Sequence, residues 1–240
     1  MAFTSFRFIV FLVLAAAAYF LTPKRCRWVT LFVANYVFYF ISGGRIFIYL
    51  LATTVTTYLA TVKIGDMAAK NKIAFNEAKA ELDKEGKKAW KAAFAKKKKR
   101  ILIPTLLFNF GILAVLKYSG FVTENLNLLF AKIGIGTELP VFRFLLPLGI
   151  SFYTFQSMGY LIDVYREKQE PERNFCKLAL FISFFPQIVQ GPISRFGTLA
   201  EQLFRANEFS YTRIKFGVQL MLWGAFKKMV IADRAAVLVD

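Results

Sequence analysis

The sequence contains no histidine, which removes the side chain best suited to general-base catalysis near neutral pH. Cysteine is scarce as well. Cys26 and Cys176 lie far apart beside basic residues, without the spacing of a zinc site or a redox pair. The sequence also lacks a GxSxG nucleophile motif, a phosphate-binding glycine loop and a cluster of metal ligands. These absences predict no metal site and no complete catalytic set within the chain.

Acidic residues are few, and the basic excess is unevenly placed. The chain has 15 Asp and Glu residues and 32 Lys and Arg residues, so its net charge is +17. Between Lys63 and Arg100, 13 basic and 5 acidic residues leave a charge of +8. No aromatic-rich RNA platform or DNA-reading motif accompanies this run. Basic residues beside apolar segments instead mark the cytoplasmic side of a membrane, so no nucleic-acid partner is expected.

Apolar residues are abundant throughout the chain. They make up 57% of the sequence, with 28 Phe, and the mean hydropathy is +0.47. Soluble domains have about 45–50% apolar residues. Runs about as long as a bilayer core is thick recur, which predicts an all-α, polytopic helical membrane protein. The predicted spans are Phe3–Leu21, Trp28–Ile41, Ile46–Val62, Ile101–Tyr118 and Phe144–Ile162. The first run ends in a basic turn instead of a cleavage site, so we expect a retained helix.

Three regions follow from this pattern. Residues 1–62 are predicted to form three transmembrane helices, residues 63–100 a basic cytoplasmic helical loop, and residues 101–240 the first part of a membrane core. The positive-inside rule places the N-terminus outside the cell membrane. Two alternatives remain open for the basic loop: a helical hairpin broken near Gly86, or a helix lying on anionic lipid. Pro104 is expected in the first turn of the fourth span, where its missing N–H does least harm.

The segment "LPLGISFYTFQSMGYLIDVYR" places four polar-tipped residues on one face of a predicted helix, because their spacings are 3, 4 and 3. These residues are Tyr153, Gln156, Tyr160 and Asp163. Polar side chains in a span normally face protein or a watery cavity, since exposure to lipid is costly. The face is therefore either a seam of hydrogen bonds between helices, with Asp163 at the cytoplasmic interface, or the wall of a polar tunnel.

The segment "FISFFPQIVQGPISR" predicts a helix that breaks inside the membrane. Pro186 lacks the N–H that a continuous helix needs, and a Gly-Pro pair at 191–192 stops the helix. Gln187 and Gln190 share a face beside the freed backbone groups. Broken backbone survives at membrane depth only inside protein or along a watery cavity. The pattern therefore indicates a partial or re-entrant segment near 175–192 that lines a site, with Arg195 just past the break.

These two segments, together with "GAFKKMVIAD" at 224–233, resemble the membrane-bound O-acyltransferase family. The similarity is to its alginate O-acetylation group and, more distantly, to the D-alanyl transfer protein of teichoic acids. The resemblance implies a multi-helix fold with a tunnel through the bilayer. It implies no bound cofactor. The expected acyl donor is a cytoplasmic substrate such as acetyl-CoA or an acyl-carrier thioester, and the acceptor is an extracellular polysaccharide hydroxyl or an acyl-relay protein.

The chain departs from that family in one respect that matters for catalysis. The family's chemistry centres on a histidine, which this sequence lacks, and family members are roughly twice as long. We interpret the chain as the N-terminal half of such an enzyme, with the histidine beyond Asp240, and expect the 240 residues to be inactive alone. The alternatives are D-alanyl transfer to teichoic acid, or a non-enzymatic transporter or scaffold component. The candidate tunnel or substrate-lining residues are Tyr153, Gln156, Tyr160, Asp163, Pro186, Gln187, Gln190 and Arg195.

Overall fold

The computed structural model describes residues 5–43, 47–79, 82–134, 139–141, 144, 146–188 and 191–236. This part of the chain is helical and contains no β-strand, which confirms the all-α prediction. The helices are α1 (Phe6–Leu21), α2 (Arg27–Gly43), α3 (Phe47–Ala78), α4 (Lys84–Lys132), α5 (Ile150–Tyr165), α6 (Phe175–Ser183), α7 (Phe185–Ile188), α8 (Phe196–Phe204), α9 (Tyr211–Phe226) and α10 (Asp233–Ala236). A 3₁₀ turn covers Lys24–Cys26, and a π-helical turn covers Lys227–Ala232.

Two of the described helices, α3 and α4, are long and apolar enough to cross a bilayer. Their apolar side chains include outward-facing ones, such as Leu107 and Phe121, which are 69% and 67% exposed. Such exposure suits a lipid environment and would be unfavourable in water. The segments Phe6–Leu21 and Phe175–Ile188 are apolar but shorter. The protein is an all-α membrane protein.

Both long helices extend further than the sequence analysis predicted. α3 continues past Val62 to Ala78, and α4 begins at Lys84 and reaches Lys132. The 49 residues of α4 correspond to about 73 Å. The helix continues past Tyr118, where the predicted span ends, because the glycine soon after it weakens a helix by only about 1 kcal/mol. The position predicted for Pro104 is wrong: it lies in the interior of α4.

The basic segment is a helical hairpin made by the end of α3 and the start of α4. The indole Nε1 of Trp90 donates to Oδ1 of Asn71 over 2.9 Å, and the Trp90 ring lies 6.1 Å from that of Phe75. The break predicted near Gly86 instead precedes α4. Oδ1 of Asp83 accepts from the Gly86 N–H over 2.7 Å, so Gly86 belongs to the first turn of the capped helix.

The larger of two compact units comprises residues 32–204, and α5 is its central helix. It packs against α3, α4, α6 and α7. The buried Lys98 of α4 fixes its C-terminal end by donating from Nζ to the carbonyl of Tyr165 over 2.9 Å and to Glu167 over 2.5 Å. A cation at this position stabilises the last carbonyls of a helix. The end of α5 is thereby held to the basic hairpin.

The smaller unit comprises residues 1–31 and 205–240. Here Nζ of Lys24 lies 2.6 Å from a carboxylate oxygen of Glu208, and this hydrogen bond and charge lower the pKa of Glu208. Because both side chains are exposed, the pair adds little stability. The "GAFKKMVIAD" segment forms the end of α9, the π-helical turn and the first residue of α10, and Lys228 of the turn pairs with Asp233 of α10 over 2.6 Å.

Gly149 determines where α5 begins. It has a left-handed φ of +70°, and a Cβ built on it would lie 1.8 Å from Cγ2 of Ile188. Only glycine combines this backbone conformation with so close an approach. Within the predicted span Phe144–Ile162, the helix α5 therefore begins only at Ile150, after Pro147 and the Gly149 turn.

We expect Gly149→Ala to destabilise the protein by about 2–4 kcal/mol, through backbone strain and overpacking against α7. Gly159→Ala is the matched control, because nothing lies within 4 Å of the Cβ that it would add inside α5. It should be neutral or stabilising by up to about 1 kcal/mol. Denaturant unfolding of both variants in detergent micelles measures the difference. Equal stability of the two variants would contradict this role of Gly149.

Candidate functional site

The helix predicted to break near 175–192 does break, which confirms that part of the fold prediction. Oδ1 of Asn174 caps α6 by accepting from the Lys177 N–H over 3.2 Å. The helix ends where Phe184 adopts φ −58° and ψ 98°, and α7 follows directly. The break thus lies two residues before Pro186, not at it. Pro186 takes the second position of α7, where a helix needs no N–H donor.

Two amide side chains from other helices replace the hydrogen bond that the break removes. In a continuous helix, the Phe185 N–H would donate to the carbonyl of Phe181. Here it donates to Oδ1 of Asn35 on α2 over 3.1 Å, and Nε2 of Gln156 on α5 donates to the Phe181 carbonyl over 2.9 Å. Both amides are buried, at 0% and 3% exposure. Each of these two hydrogen bonds avoids the cost of about 1–3 kcal/mol of leaving a buried backbone group unsatisfied.

The sequence analysis missed Asn35. Its signal was present: "LFVANYVFYF" contains one amide within a long apolar run. A polar residue inside a membrane segment is costly and normally has a specific partner. The partner here is the Phe185 backbone, which is 150 residues away in sequence.

A polar cluster surrounds the break. Its residues are Asn35, Tyr36, Tyr39, Tyr153 and Ser183. The phenol of Tyr39 lies near those of Tyr36 and Tyr153, and Tyr36 lies beside Ser183. The hydroxyls of Tyr39 and Tyr153 and Nδ2 of Asn35 are buried and make no hydrogen bond within the described part of the chain. These groups are therefore polar groups without a described hydrogen-bond partner in an otherwise apolar core.

The predicted polar face of α5 is only partly buried. Tyr153, Gln156 and Tyr160 are 1%, 3% and 2% exposed, whereas Asp163 is half-buried. Gln156 makes an interhelical hydrogen bond, as the seam alternative predicts. The hydroxyl of Tyr160 accepts from the Glu172 N–H over 2.6 Å. Tyr160 therefore fixes the segment after α5, and its hydroxyl oxygen is used in that hydrogen bond.

The remaining predicted residues lie nearer the surface. Nε2 of Gln187 donates to Oγ of Ser194 over 2.8 Å, while its Oε1 is buried without a hydrogen bond from the described residues. Pro186 and Arg195 are exposed, and Gln190 lies outside the described residues. The structure thus brings Tyr153 and Gln156 together at the break and leaves Arg195 at the surface. Within the described ranges, no three His, Cys, Asp or Glu residues are grouped as metal ligands.

Relatives match the chain over its whole length. It is 30% identical over 243 residues to a protein of Pseudomonas syringae pv. tomato named "Probable alginate O-acetylase", covering 100% of this chain and 42% of the relative. The Azotobacter vinelandii protein of the same name is 33% identical over 245 residues, covering 100% and 43%. A Helicobacter pylori "Peptidoglycan O-acetyltransferase" is 32% identical over 165 residues, covering 58% and 30%. No family model matches the chain. No solved structure matches it either.

The fold and the break define a helical membrane protein with a buried polar cluster. The relatives narrow the class of protein. The chain is a homologue of the alginate O-acetylases over its whole length, which confirms its resemblance to the membrane-bound O-acyltransferase family. The chain spans about two fifths of the length of these relatives.

Replacing either amide at the break should destabilise the protein. We expect Asn35→Leu and Gln156→Leu each to cost about 1–3 kcal/mol, because each leaves one buried backbone group unpaired. The double variant should lose less stability than the two single variants together, since the segment can then close into a kinked helix in which the Phe185 N–H donates to the Phe181 carbonyl. Asn125→Leu is the control: among the described residues its exposed amide donates to the Phe121 carbonyl of its own helix, and the change should stay within about 0.5 kcal/mol. Denaturant unfolding in micelles measures the free energy of unfolding of all four variants. A double variant whose loss equals the sum of the two single losses would contradict a break shared by the two amides.

Proposed function

We propose that this chain is part of an integral membrane O-acyltransferase. It moves an acetyl group from a donor on the cytoplasmic side to hydroxyls of an exported or cell-surface polysaccharide. Two relatives support this reaction by name, one as a probable alginate O-acetylase and one as a peptidoglycan O-acetyltransferase. Both names describe the transfer of an acetyl group to oxygen of a sugar-containing polymer.

The helix break at Phe184 is the observation that carries the proposal. Acyl transfer needs hydrogen-bond donors that face the developing oxyanion in a site protected from water. The break and the polar cluster supply such donors inside an apolar core, through the hydroxyls of Tyr39 and Tyr153. In this proposal Gln156 and Asn35 position the break, Gln187 lies along the acyl path, and the exposed Arg195 meets an anionic group of the donor.

The reaction is a displacement at a thioester or related acyl carbon. The acceptor oxygen forms a new bond to the carbonyl carbon while the bond from that carbon to the donor's leaving atom breaks. The acceptor hydroxyl loses its proton to a general base, and the leaving group takes up a proton. Imidazole is the side chain whose ordinary pKa suits this base near neutral pH, and the 240 residues contain none. We therefore propose that the base lies outside them.

A chimaera tests this function. Residues 1–240 replace the matching segment of the Pseudomonas aeruginosa probable alginate O-acetylase, to which the chain is 32% identical over 245 residues. We expect the chimaera to acetylate alginate in cells that lack the native protein. The 240-residue chain alone should transfer none, and neither should the relative with that segment deleted. Acetylation by residues 1–240 alone would contradict the proposal, as would a chimaera that is folded in the membrane yet inactive.

The same chimaera fixes the sidedness of the reaction. The proposal places the N-terminus outside and the basic hairpin on the donor side. A single cysteine at Lys84, with Cys26 and Cys176 changed to Ser, should resist an impermeant thiol reagent in intact cells and react in inverted vesicles. Labelling in intact cells would reverse the orientation.

A further inference from the structure

A cavity lies in the basic hairpin, away from the helix break. Its volume is about 820 Å³, within the range of about 300–1,000 Å³ that is typical of small-molecule sites. Its walls come from three segments: the end of α3, the start of α4, and residues 164–173 at and after the end of α5. We call it the basic pocket. The polar cluster does not line it.

Positive charge is concentrated in the basic pocket. Its lining has five basic and two acidic side chains. Two of the cations are neutralised, since Lys98 pairs with Glu167 and Arg173 pairs with Asp66 over 2.7 Å. Three are left without an ion pair within the described part of the chain, one from each wall: Lys72, Lys91 and Lys168. Glu170 also lines the cavity, so the three lysines and this carboxylate leave an excess of two positive charges, which a bound anion would balance.

The walls of the pocket are held in place by specific contacts. Trp90 is fixed by its hydrogen bond to Asn71 and by contact with Phe75. Gly65 of α3 lies against Pro171, so closely that a Cβ on Gly65 would come within 2.3 Å of the proline ring. The pocket therefore combines a positioned aromatic wall with ammonium groups on separate segments. Lys72, Lys91 and Lys168 are exposed, and all three line this one recess.

We propose that the basic pocket binds a ligand bearing phosphate groups, with Lys72, Lys91 and Lys168 as its cationic contacts. Ammonium groups are effective phosphate binders as point charges, and three of them suit a multiply charged anion better than a single carboxylate. The pocket's role rests on the proposed function: on the donor side of the membrane, the phosphate-bearing ligand is the handle of the acyl donor. The phosphate could also belong to a lipid headgroup, which the test below distinguishes.

Calorimetric titration of the full chain in phosphatidylcholine nanodiscs tests the site, with coenzyme A and phosphate-free pantetheine as probes. Coenzyme A should bind and pantetheine should not. Lys72→Gln with Lys91→Gln should weaken coenzyme A binding at least about tenfold, because each lost charged hydrogen bond has an effect of that order. Lys70→Gln with Lys88→Gln is the matched control. It removes the same charge from exposed positions on the same two helices, outside the pocket, and should weaken binding less than about threefold.

If the two double variants weaken coenzyme A binding equally, the proposed pocket is wrong, because the loss would then reflect only a general effect of charge. A second arm uses nanodiscs that contain phosphatidylglycerol. In one outcome the lipid raises the thermal stability of the unmodified chain and of the control, but not of Lys72→Gln with Lys91→Gln. That result, together with no binding of coenzyme A, would assign the phosphate to a lipid headgroup. Binding of neither probe nor lipid would overturn the site.

The two proposals fail separately. If the pocket pair abolishes coenzyme A binding but the chimaera carrying it still transfers acetyl at the normal rate, the pocket is not the donor site and the function stands. If the unmodified chain binds coenzyme A normally and the chimaera transfers no acetyl group, the pocket assignment is retained and the proposed function is contradicted.

Discussion

The Phe181 carbonyl and the Phe185 N–H cannot bond to each other across the break at Phe184, and the rest of the core is arranged around this fact. Inside a bilayer no water is available, so backbone polar groups must be satisfied within the protein. Gln156 and Asn35 each supply one hydrogen bond, over 2.9 and 3.1 Å. Their parent helices α5 and α2 must therefore lie at fixed positions against the broken segment. The close contact of Gly149 with Ile188 holds the start of α5 at the end of α7.

This arrangement connects a structural requirement to the proposed chemistry. A break held open by side chains keeps polar groups in a dry interior, which a continuous helix would not do. The phenols of Tyr39 and Tyr153 lie in the same polar cluster and retain hydrogen-bonding capacity among the described residues. An acyl group and an acceptor hydroxyl need such donors where water is excluded. The basic pocket in the α3–α4 hairpin is a separate site, suited by its charge to a different part of the substrate.

Local patterns predicted the features that depend on local chemistry. The proline and glycine residues of "FFPQIVQGP" indicated a broken helix, and the spacing of Tyr153, Gln156 and Tyr160 indicated a shared, buried face. The role of Asn35 could not be read in the same way, because its partner is 150 residues distant and only the fold brings them together. Pairing an amide in one apolar run with a break in another requires knowledge of which helices are neighbours.

Helix ends were predicted poorly for a different reason. Apolar runs report where the bilayer begins and ends, but a helix rich in Ala, Lys and Glu continues into water without any change in its backbone hydrogen bonds. α3 and α4 do this on the side of the basic hairpin, so Val62 and Ile101 lie inside helices. Gly86 and Pro104 were given too much weight as local signals. The Asp83 cap sets the start of α4, and the missing donor of Pro104 is tolerated within a long helix.

The most direct test of this account examines the Phe181 carbonyl itself. A ¹³C=¹⁸O label at that carbonyl isolates its amide I band in the infrared spectrum of the nanodisc-embedded protein. The account predicts the low frequency of a hydrogen-bonded carbonyl in the unmodified chain, and a shift to higher frequency in Gln156→Leu, with no shift in the control Asn125→Leu. An unchanged band in Gln156→Leu would contradict the claim that the Gln156 amide holds the broken helix open.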